Sequence, residues 1–236
     1  MSITTVLFDL DGTLLPMDQD AFTKGYFKLL AKKLLPYGYE PQKLINSIWS
    51  GTEAMVKNDG SVTNETAFWA RFAEIYGEKA NKDKPIFEDF YANDFQLAKQ
   101  FCGYNPEAAK TVYELISSGL RIALATNPIF PSYATESRIG WAGLKPSDFE
   151  HYTTYENSRF SKPNLNYYRQ IMYFIGVEPQ ECIMVGNDVG EDMVAAKLGM
   201  KVFLLTDCLI NKADEDISIY PNGSFAELRE YISTNR

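Results

Sequence analysis

A short apolar run that ends in carboxylates is the clearest feature of the hydrophobic pattern. Val6, Leu7 and Phe8 form the run, and the five residues after it read Asp-Leu-Asp-Gly-Thr. An unbroken apolar run of this length is typical of a strand that is buried on both faces. We therefore predict that this strand delivers Asp9 and Asp11 to the C-terminal edge of a sheet. Open α/β sheets bind their ligands at that edge.

Residues 18 to about 102 follow a different, helical pattern. Apolar residues recur there at helical spacing and no run alternates as a strand does. The spacing predicts helices over 21–35, 41–49, 64–77 and 87–101, with Thr63 or Asn64 as the cap of the third. We expect residues 49–52 to break the helices and residues 81–85 to form a polar loop. The block is therefore predicted to be a helical bundle.

From residue 104 the chain alternates between strands and helices. Apolar runs predict strands at 120–125, 150–154, 182–185 and 201–205. Helices are predicted between them, over 105–118, 131–141, 164–175 and 190–198. A capping box at Ser224 and Glu227 opens a last helix. Alternation of this kind indicates a parallel sheet with helical crossovers. We predict an α/β doubly wound, Rossmann-like core of residues 1–17 and 104–236, with residues 18–103 inserted as a helical cap domain.

Charge and composition narrow the possible partners. The net charge is −8 and the pI is about 4.8, which argues against a nucleic-acid surface. No apolar run is long enough to span a membrane, and the acidic N-terminal segment argues against a signal peptide. The three cysteines form no Cys-x-x-Cys pair, so neither a disulfide framework nor a zinc site is indicated. We expect a cytoplasmic protein.

Several nucleotide-dependent classes are disfavoured by missing motifs. The sequence contains no Gly-x-Gly pair and no Gly-x-x-x-x-Gly-Lys loop, which disfavours dinucleotide-binding dehydrogenases and P-loop enzymes. His151 is the single histidine, and we interpret it as structural.

Polar side chains follow two further predicted strands. Thr126 and Asn127 follow the strand at 120–125, and Asp188 follows the strand at 182–185, with Asp192 four residues later. Lys162 lies in a loop before the helix at 164–175. Because parallel strands end at one edge of a sheet, we expect these residues to converge with Asp9 and Asp11.

The residue types in this cluster fit phosphoryl transfer to a carboxylate. At ~4 Å and an effective dielectric constant of ~20, two like unit charges repel each other by about 4 kcal/mol. A carboxylate that attacks a phosphate dianion meets two such charges, so the repulsion is about 8 kcal/mol. A lysine and a divalent cation can offset this repulsion. Carboxylates are the hard oxygen ligands that Mg²⁺ prefers. Asp11, two residues from Asp9, can act as general acid and then as general base.

These residues resemble the four motifs of the haloacid dehalogenase superfamily. Asp9-Leu-Asp11-Gly-Thr matches the first motif and Thr126 the second, while Lys162 in Ser-Lys-Pro matches the third and residues 186–192 the fourth. The resemblance implies that Asp9 is the nucleophile and Asp11 the general acid/base. It also implies a Mg²⁺ ion at Asp9, the Asp11 carbonyl and Asp188, with Asp192 as a further candidate ligand, and phosphate contacts from Thr126, Asn127 and Lys162.

The expected activity is Mg²⁺-dependent hydrolysis of a small phosphorylated metabolite through an aspartyl-phosphate. One alternative is a phosphomutase or phosphotransferase, which would need Lys57 or Arg71 of the cap to hold a second phosphate. Another is a catalytically silent phosphate-binding module, and a third is a carbon–chlorine dehalogenase, against which Asp11 argues. We also expect Thr52, in the predicted helix break, to lie on a loop that reaches the substrate.

Overall fold

Six parallel strands form the centre of the protein, in the spatial order β3-β2-β1-β4-β5-β6. The computed structural model describes residues 2–236. The strands are β1 (Thr5–Phe8), β2 (Arg121–Leu124), β3 (His151–Tyr152), β4 (Cys182–Gly186), β5 (Lys201–Leu205) and β6 (Asn222–Gly223). The predicted doubly wound α/β fold is confirmed, and the sheet gains one short edge strand, β6, that the sequence pattern did not indicate.

The strand order reverses direction beside β1. β1 pairs with β2 on one side and with β4 on the other, so that Leu7 lies opposite both Ala123 and Met184. The chain builds β2 and β3 outward from β1 and then returns to build β4, β5 and β6 on the opposite side. Such a reversal opens a crevice at the C-terminal ends of the two strands involved. Asp9 follows β1, and Asn187 and Asp188 follow β4, at this crevice.

Both faces of the four central strands β2, β1, β4 and β5 are buried, which explains why their sequences are mostly apolar. Val6 and Phe8 point to one face and belong to the larger apolar cluster, whereas Leu7 points to the other face and belongs to the smaller one. Successive side chains of a strand alternate between faces. Helices cover both sides, as expected for a parallel sheet.

Four α-helices lie within the segment 18–103 that follows β1. They are α1 (Gln19–Leu34), α2 (Pro41–Val56), α3 (Asn64–Tyr76) and α4 (Glu78–Ala92). Thr63 caps α3 by accepting a hydrogen bond from the amide of Thr66, as predicted. A 3₁₀ segment, Asp94–Phe101, follows α4, so the prediction of one helix over 87–101 was wrong. The prediction of a loop at 81–85 was also wrong, because α4 includes Pro85.

The predicted helix break at residues 49–52 was wrong as well. Helix α2 continues through Ser50 and Gly51 to Val56. Gly51 is buried where α2 meets α3, and a Cβ atom there would lie 2.5 Å from the ring of Phe68. The glycine therefore lets two helices approach closely, and it does not end either of them. Thr52 lies on a helix and not on a loop.

The two ends of this helical insertion lie side by side. Met17 and Cys102 form an isolated antiparallel bridge, and the amide of Gly103 donates to the carbonyl of Pro16 at 2.7 Å. The predicted boundaries of the inserted segment fall at this paired crossing. None of the helices within residues 2–236 has the length and apolar character needed to cross a membrane.

Four further α-helices follow residue 103. They are α5 (Pro106–Ser117), α6 (Ser132–Trp141), α7 (Leu165–Ile175) and α8 (Phe225–Thr234). Asn105 caps α5, and Ser224 with Glu227 forms the predicted capping box of α8. The helix predicted over 190–198 is instead a 3₁₀ segment, Met193–Leu198. Its shorter length leaves residues 187–192 free to form the turn that carries Asp188 and Asp192.

Candidate active site

A cavity of about 280 Å³ lies at the C-terminal edge of β1, β2 and β4. We call it the acidic cavity. Its lining includes all seven site residues that the sequence predicted: Asp9, Asp11, Thr126, Asn127, Lys162, Asp188 and Asp192. Segments separated by more than a hundred residues thus converge on one space. Their roles remain predictions, but their proximity is a property of the structure.

A buried lysine joins two of the acids. The ammonium group of Lys162 donates to Asp9 Oδ1 at 2.8 Å and to Asp192 Oδ1 at 2.6 Å. All three side chains are at least nine-tenths buried. A buried charge is costly unless it is paired and hydrogen-bonded, so the three groups must be held together. Lys162 therefore fixes the position of the Asp9 carboxylate.

Burial and charge act on these pKa values in opposite directions. Burial alone would lower the pKa of Lys162, but the Asp192 and Asp9 carboxylates raise that pKa above its usual range. Burial raises the pKa of Asp192 to about 6, with the lysine opposing the shift. Lys162 is therefore charged at neutral pH, and it supplies a compact positive charge beside Asp9.

Asp11 is paired with an arginine that the sequence analysis missed. Asp11 Oδ2 accepts a hydrogen bond from the guanidinium of Arg138 on α6, while Asp11 Oδ1 is buried and has no hydrogen-bond partner within residues 2–236. Burial raises the pKa of Asp11, and the Arg138 charge partly offsets the rise. A raised pKa favours the protonated form that a general acid needs. No local motif marks Arg138, because it is 127 residues from Asp11.

Thr13 supports Asp9 and does not face the cavity. Its hydroxyl lies 3.1 Å from Asp9 Oδ2 and 2.9 Å from Asn187 Oδ1. The Thr13 hydroxyl is therefore held by contacts within the protein. Gly12, between these groups, has a φ of +85°, and a Cβ atom there would collide with the Asn187 amide. Glycine is required for both reasons.

The two acids of the fourth segment have different surroundings. Asp192 uses one oxygen for Lys162 and the other to accept the amide of Asp188 at 3.0 Å. Asp188 uses Oδ1 to accept the amides of Gly190 and Glu191. Both of these amides donate to Oδ1, so Oδ2 of Asp188 takes no part in these hydrogen bonds. Asp188 is also less buried than Asp192.

Thr126 and Asn127 are anchored at the end of β2. The main-chain oxygen of Thr126 accepts the hydroxyl groups of Thr153 and Tyr167 at 2.6 and 2.8 Å. Asn127 donates to Glu191 Oε2 at 3.1 Å. Glu191 is a second residue that the sequence analysis missed, although it lies inside the matching motif. Burial raises its pKa to about 7, with Lys162 opposing the shift.

The charges of the cavity are suited to a divalent cation. Five carboxyl groups line it (Asp9, Asp11, Asp188, Glu191 and Asp192), against the two lysines Lys162 and Lys212. A phosphate dianion would meet net negative charge there unless a cation were added. Within residues 2–236 no three His, Cys, Asp or Glu side chains form a ready metal cluster. A Mg²⁺ ion held by two carboxylates and one main-chain carbonyl does not need three such side chains. Asp9 and Asp188 could supply the two carboxylates.

The two cap residues considered for a second phosphate lie elsewhere. Lys57 pairs with Glu53 on the surface of α2, and its side chain is 73% exposed. Arg71 contacts Ser50 and Glu74, also on the surface. Neither residue is among those that line the acidic cavity. The phosphomutase alternative requires Lys57 or Arg71 to hold a second phosphate in the cavity. Neither residue is placed to do so.

Known proteins resemble this chain in sequence or in fold. The chain is 24% identical to the glyceraldehyde 3-phosphate phosphatase of Methanothermobacter thermautotrophicus over 225 residues, which is 91% of this chain and 90% of that protein. A haloacid dehalogenase (HAD) family phosphatase from Thermococcus onnurineus matches at 18% identity with a TM-score of 0.61, covering 100% of both chains. A HAD-family hydrolase from Bacillus subtilis, solved bound to magnesium, matches at 14% identity with a TM-score of 0.56, covering 98% of this chain and 99% of that one.

The family itself is established by a sequence model. The model of the haloacid dehalogenase-like hydrolases matches residues 3–199, a span that begins before β1 and ends after the turn that carries Asp188 and Asp192. It includes every residue predicted for the site. The predicted resemblance to the family is thereby confirmed, together with the prediction that the protein is an enzyme of this family. The chain belongs to the haloacid dehalogenase-like hydrolases.

Proposed function

We propose that the protein is a Mg²⁺-dependent phosphatase that hydrolyses a small phosphomonoester through an aspartyl-phosphate on Asp9. One observation supports this proposal above the others. Lys162 holds Asp9 Oδ1 at 2.8 Å at the C-terminal edge of the sheet, and the Arg138-paired Asp11 lines the same cavity. A fixed nucleophile and a separate acid with a raised pKa are the two groups that this chemistry needs.

In the first step a carboxylate oxygen of Asp9 attacks phosphorus. The new O–P bond forms as the bond from phosphorus to the leaving alcohol oxygen breaks. Asp11 donates its proton to that oxygen, which leaves as the neutral alcohol. Burial raises the pKa of Asp11, with Arg138 opposing the rise, so a proton can be held there before attack.

In the second step water attacks the phosphorus of the aspartyl-phosphate. Asp11, now ionised, takes a proton from that water, and the bond between phosphorus and Asp9 breaks. Inorganic phosphate leaves, and both carboxyl groups return to their starting states. Arg138 stabilises the ionised form of Asp11 between the two steps, because its guanidinium is fully buried beside the carboxylate.

The cation would be held by Asp9, the main-chain carbonyl of Asp11 and Asp188. When bound, Mg²⁺ supplies positive charge that offsets the repulsion between Asp9 and the phosphate. We assign Asp192 to the orientation of Lys162 and not to the metal, because its two oxygens already accept from Lys162 and the Asp188 amide. Lys162, Thr126 and Asn127 would contact the non-bridging oxygens of the phosphoryl group.

We also propose that residues 18–103 act as a cap. Helices α1 and α2 contribute Phe22, Thr23 and Trp49 to the wall of the acidic cavity, so the insertion covers part of the opening. The paired crossing at Met17 and Cys102 is the expected hinge. A cap that closes over the phosphate would exclude bulk water and restrict the substrate to small molecules.

The test is phosphate release from a panel of small phosphomonoesters, with Mg²⁺ and with EDTA. The panel includes glyceraldehyde 3-phosphate, because a relative is named for its hydrolysis. We expect release that EDTA abolishes and that the D9N variant lacks, with a loss of at least about 10³-fold. A matched control is D207N, an exposed aspartate in the loop after β5.

Three results would contradict the proposal. Undiminished phosphate release in EDTA would contradict the need for a metal. Full activity of D9N would contradict the role of Asp9 as the nucleophile. A failure to release phosphate from any compound on the panel would contradict the phosphatase activity itself. Trapping of ³²P on the wild-type protein, but not on D9N, would identify the aspartyl-phosphate directly.

A further inference from the structure

A second cavity, of about 80 Å³, opens beside the acidic cavity inside the helical insertion. We call it the aromatic cavity. The two cavities share four lining residues, Thr23 and Trp49 from the insertion and Ile129 and Phe130 from the loop after β2. They are therefore neighbouring parts of one space, separated only by the side chains that form their common wall. A molecule whose phosphate lies beside Asp9 could extend its other end into the aromatic cavity.

The walls of the aromatic cavity are uncharged. Nine of the fourteen residues that line it are aromatic, and the others are isoleucine, threonine and proline. By contrast, seven charged residues line the acidic cavity. An uncharged wall of rings favours the apolar portion of a ligand, whose removal from water is the main source of binding free energy.

The polar groups on these rings already have partners. The hydroxyl groups of Tyr26 and Tyr91 lie 2.6 Å apart and bond to each other. The indole nitrogen of Trp69 donates to the Tyr155 hydroxyl at 3.4 Å. Thr52 donates to the carbonyl of Ile48 at 3.0 Å, one turn earlier in α2. A sugar or polyol placed here would leave its hydroxyl groups with few partners, which is unfavourable.

We propose that this enzyme selects phosphomonoesters whose organic part ends in a short apolar chain, and that the aromatic cavity binds that chain. The inference rests on the proposed phosphatase activity and specifies its substrate class. The volume of about 80 Å³ is close to that of three water molecules and suits three or four carbon atoms. The remaining carbons of the substrate would cross the acidic cavity.

The experiment compares two phosphomonoesters of equal chain length, hexyl phosphate and sorbitol 6-phosphate. We expect kcat/KM to be at least about tenfold higher for hexyl phosphate. In the series from methyl to octyl phosphate, kcat/KM should rise about fourfold for each methylene group that enters the aromatic cavity, equivalent to about 0.8 kcal/mol. The rise should stop when the cavity is full.

A filling variant and its control locate the effect. T52L places a larger side chain in the aromatic cavity and should lower kcat/KM for hexyl phosphate more than for methyl phosphate. T234L is the matched control, because Thr234 makes the same back-bond to a carbonyl four residues earlier but is exposed on α8. T234L should leave the whole series unchanged. If T52L fails to fold, inhibition of the wild type by hexylphosphonate, stronger than by methylphosphonate, tests the same point.

The outcomes separate the two proposals. Equal or faster hydrolysis of sorbitol 6-phosphate would overturn the apolar selectivity and leave the phosphatase proposal intact. A flat alkyl series in the wild type, or an equal effect of T52L on methyl and hexyl phosphate, would do the same. Release from neither compound, nor from the wider panel, would overturn the phosphatase proposal and this inference with it.

Discussion

The acidic and aromatic cavities share a wall but differ in how their side chains are held. In the acidic cavity, charged groups from the ends of β1 and β4 are fixed by pairing, as in the Asp9–Lys162–Asp192 chain. In the aromatic cavity, rings are fixed by packing, for example Phe68 stacked on Phe72 with centroids 5.7 Å apart. The first arrangement needs each charge to keep its partner, whereas the second needs volume to be conserved.

Phe130 connects the two regions. Its ring lines both cavities, and the guanidinium carbon of Arg138 lies 4.4 Å from its centroid. Arg138 in turn pairs with Asp11. Arg138, whose charge affects the protonation state of Asp11, therefore packs against a ring that lines both cavities. The comparison predicts that substitutions in the acidic cavity act mainly on chemistry, and those in the insertion mainly on packing.

Asp11→Asn should give the largest effect. Without a proton donor, kcat/KM for an alkyl phosphate should fall by about 10²–10⁴-fold. p-Nitrophenyl phosphate, whose leaving group needs little protonation, should lose much less in the first step. The measurement is kcat/KM for both substrates, because kcat also includes the second step, in which Asp11 acts as base on either substrate. Thermal unfolding confirms the fold, because Arg138 loses its counter-charge. An equal loss on the two substrates would argue against Asp11 as the acid.

Lys162→Met should reduce both activity and stability. Removal of the lysine leaves Asp9 and Asp192 buried together without their shared cation, which typically costs about 3–5 kcal/mol. We expect kcat to fall by about 10²-fold or more, and the urea midpoint to fall with it. Lys57→Met is the matched control, because its pair with Glu53 is exposed and worth under about 1 kcal/mol. Equal stability of the two variants would contradict the buried pairing.

Gly51→Ala tests packing in the insertion. Alanine favours a helix by up to about 1 kcal/mol, but here its Cβ atom would meet the Phe68 ring at 2.5 Å. We expect a net loss of about 1–3 kcal/mol in the free energy of unfolding, from overpacking. Gly140→Ala on α6 has no neighbour within 4 Å and should instead stabilise the protein. If Gly51→Ala also raised the free energy of unfolding, the close approach of α2 and α3 would not be what requires glycine at position 51.

Glu191→Gln should give the smallest effect, visible only as a pH dependence. Burial raises the pKa of Glu191 to about 7, so the native state holds this proton more tightly than the unfolded state does. The wild type therefore loses stability from about pH 4.5 to pH 7 as this proton is released. In EDTA, E191Q should have a higher Tm than the wild type at pH 8 and an equal Tm at pH 4.5.

The control for this pH effect is Glu88→Gln, an exposed position on α4. It should leave the Tm unchanged at both pH values. A Tm difference between E191Q and the wild type that does not vary with pH would contradict a raised pKa for Glu191 as its cause.

The amino-acid sequence determined the sheet and the set of residues at its edge. Those features are local: an apolar run defines each of the four central strands β1, β2, β4 and β5, and the residue after it reaches the C-terminal edge whatever the rest of the chain does. Thr63, Asn105 and the Ser224–Glu227 pair were predictable for the same reason, since a cap involves only its own first turn.

The tertiary structure decided the partners and the packing. Arg138 reaches Asp11 only because α6, which packs against α4 and the 3₁₀ segment 94–101, brings it beside the residues that follow β1. The chain gives no local sign of a contact over 127 residues. Gly51 and residues 81–85 have weak intrinsic preference for a helix, yet α2 and α4 continue through them because packing of their apolar faces outweighs it. The aromatic cavity likewise exists only where rings from separate helices meet. Local propensity is set by neighbours in sequence, whereas charge pairing and close packing are set by neighbours in space.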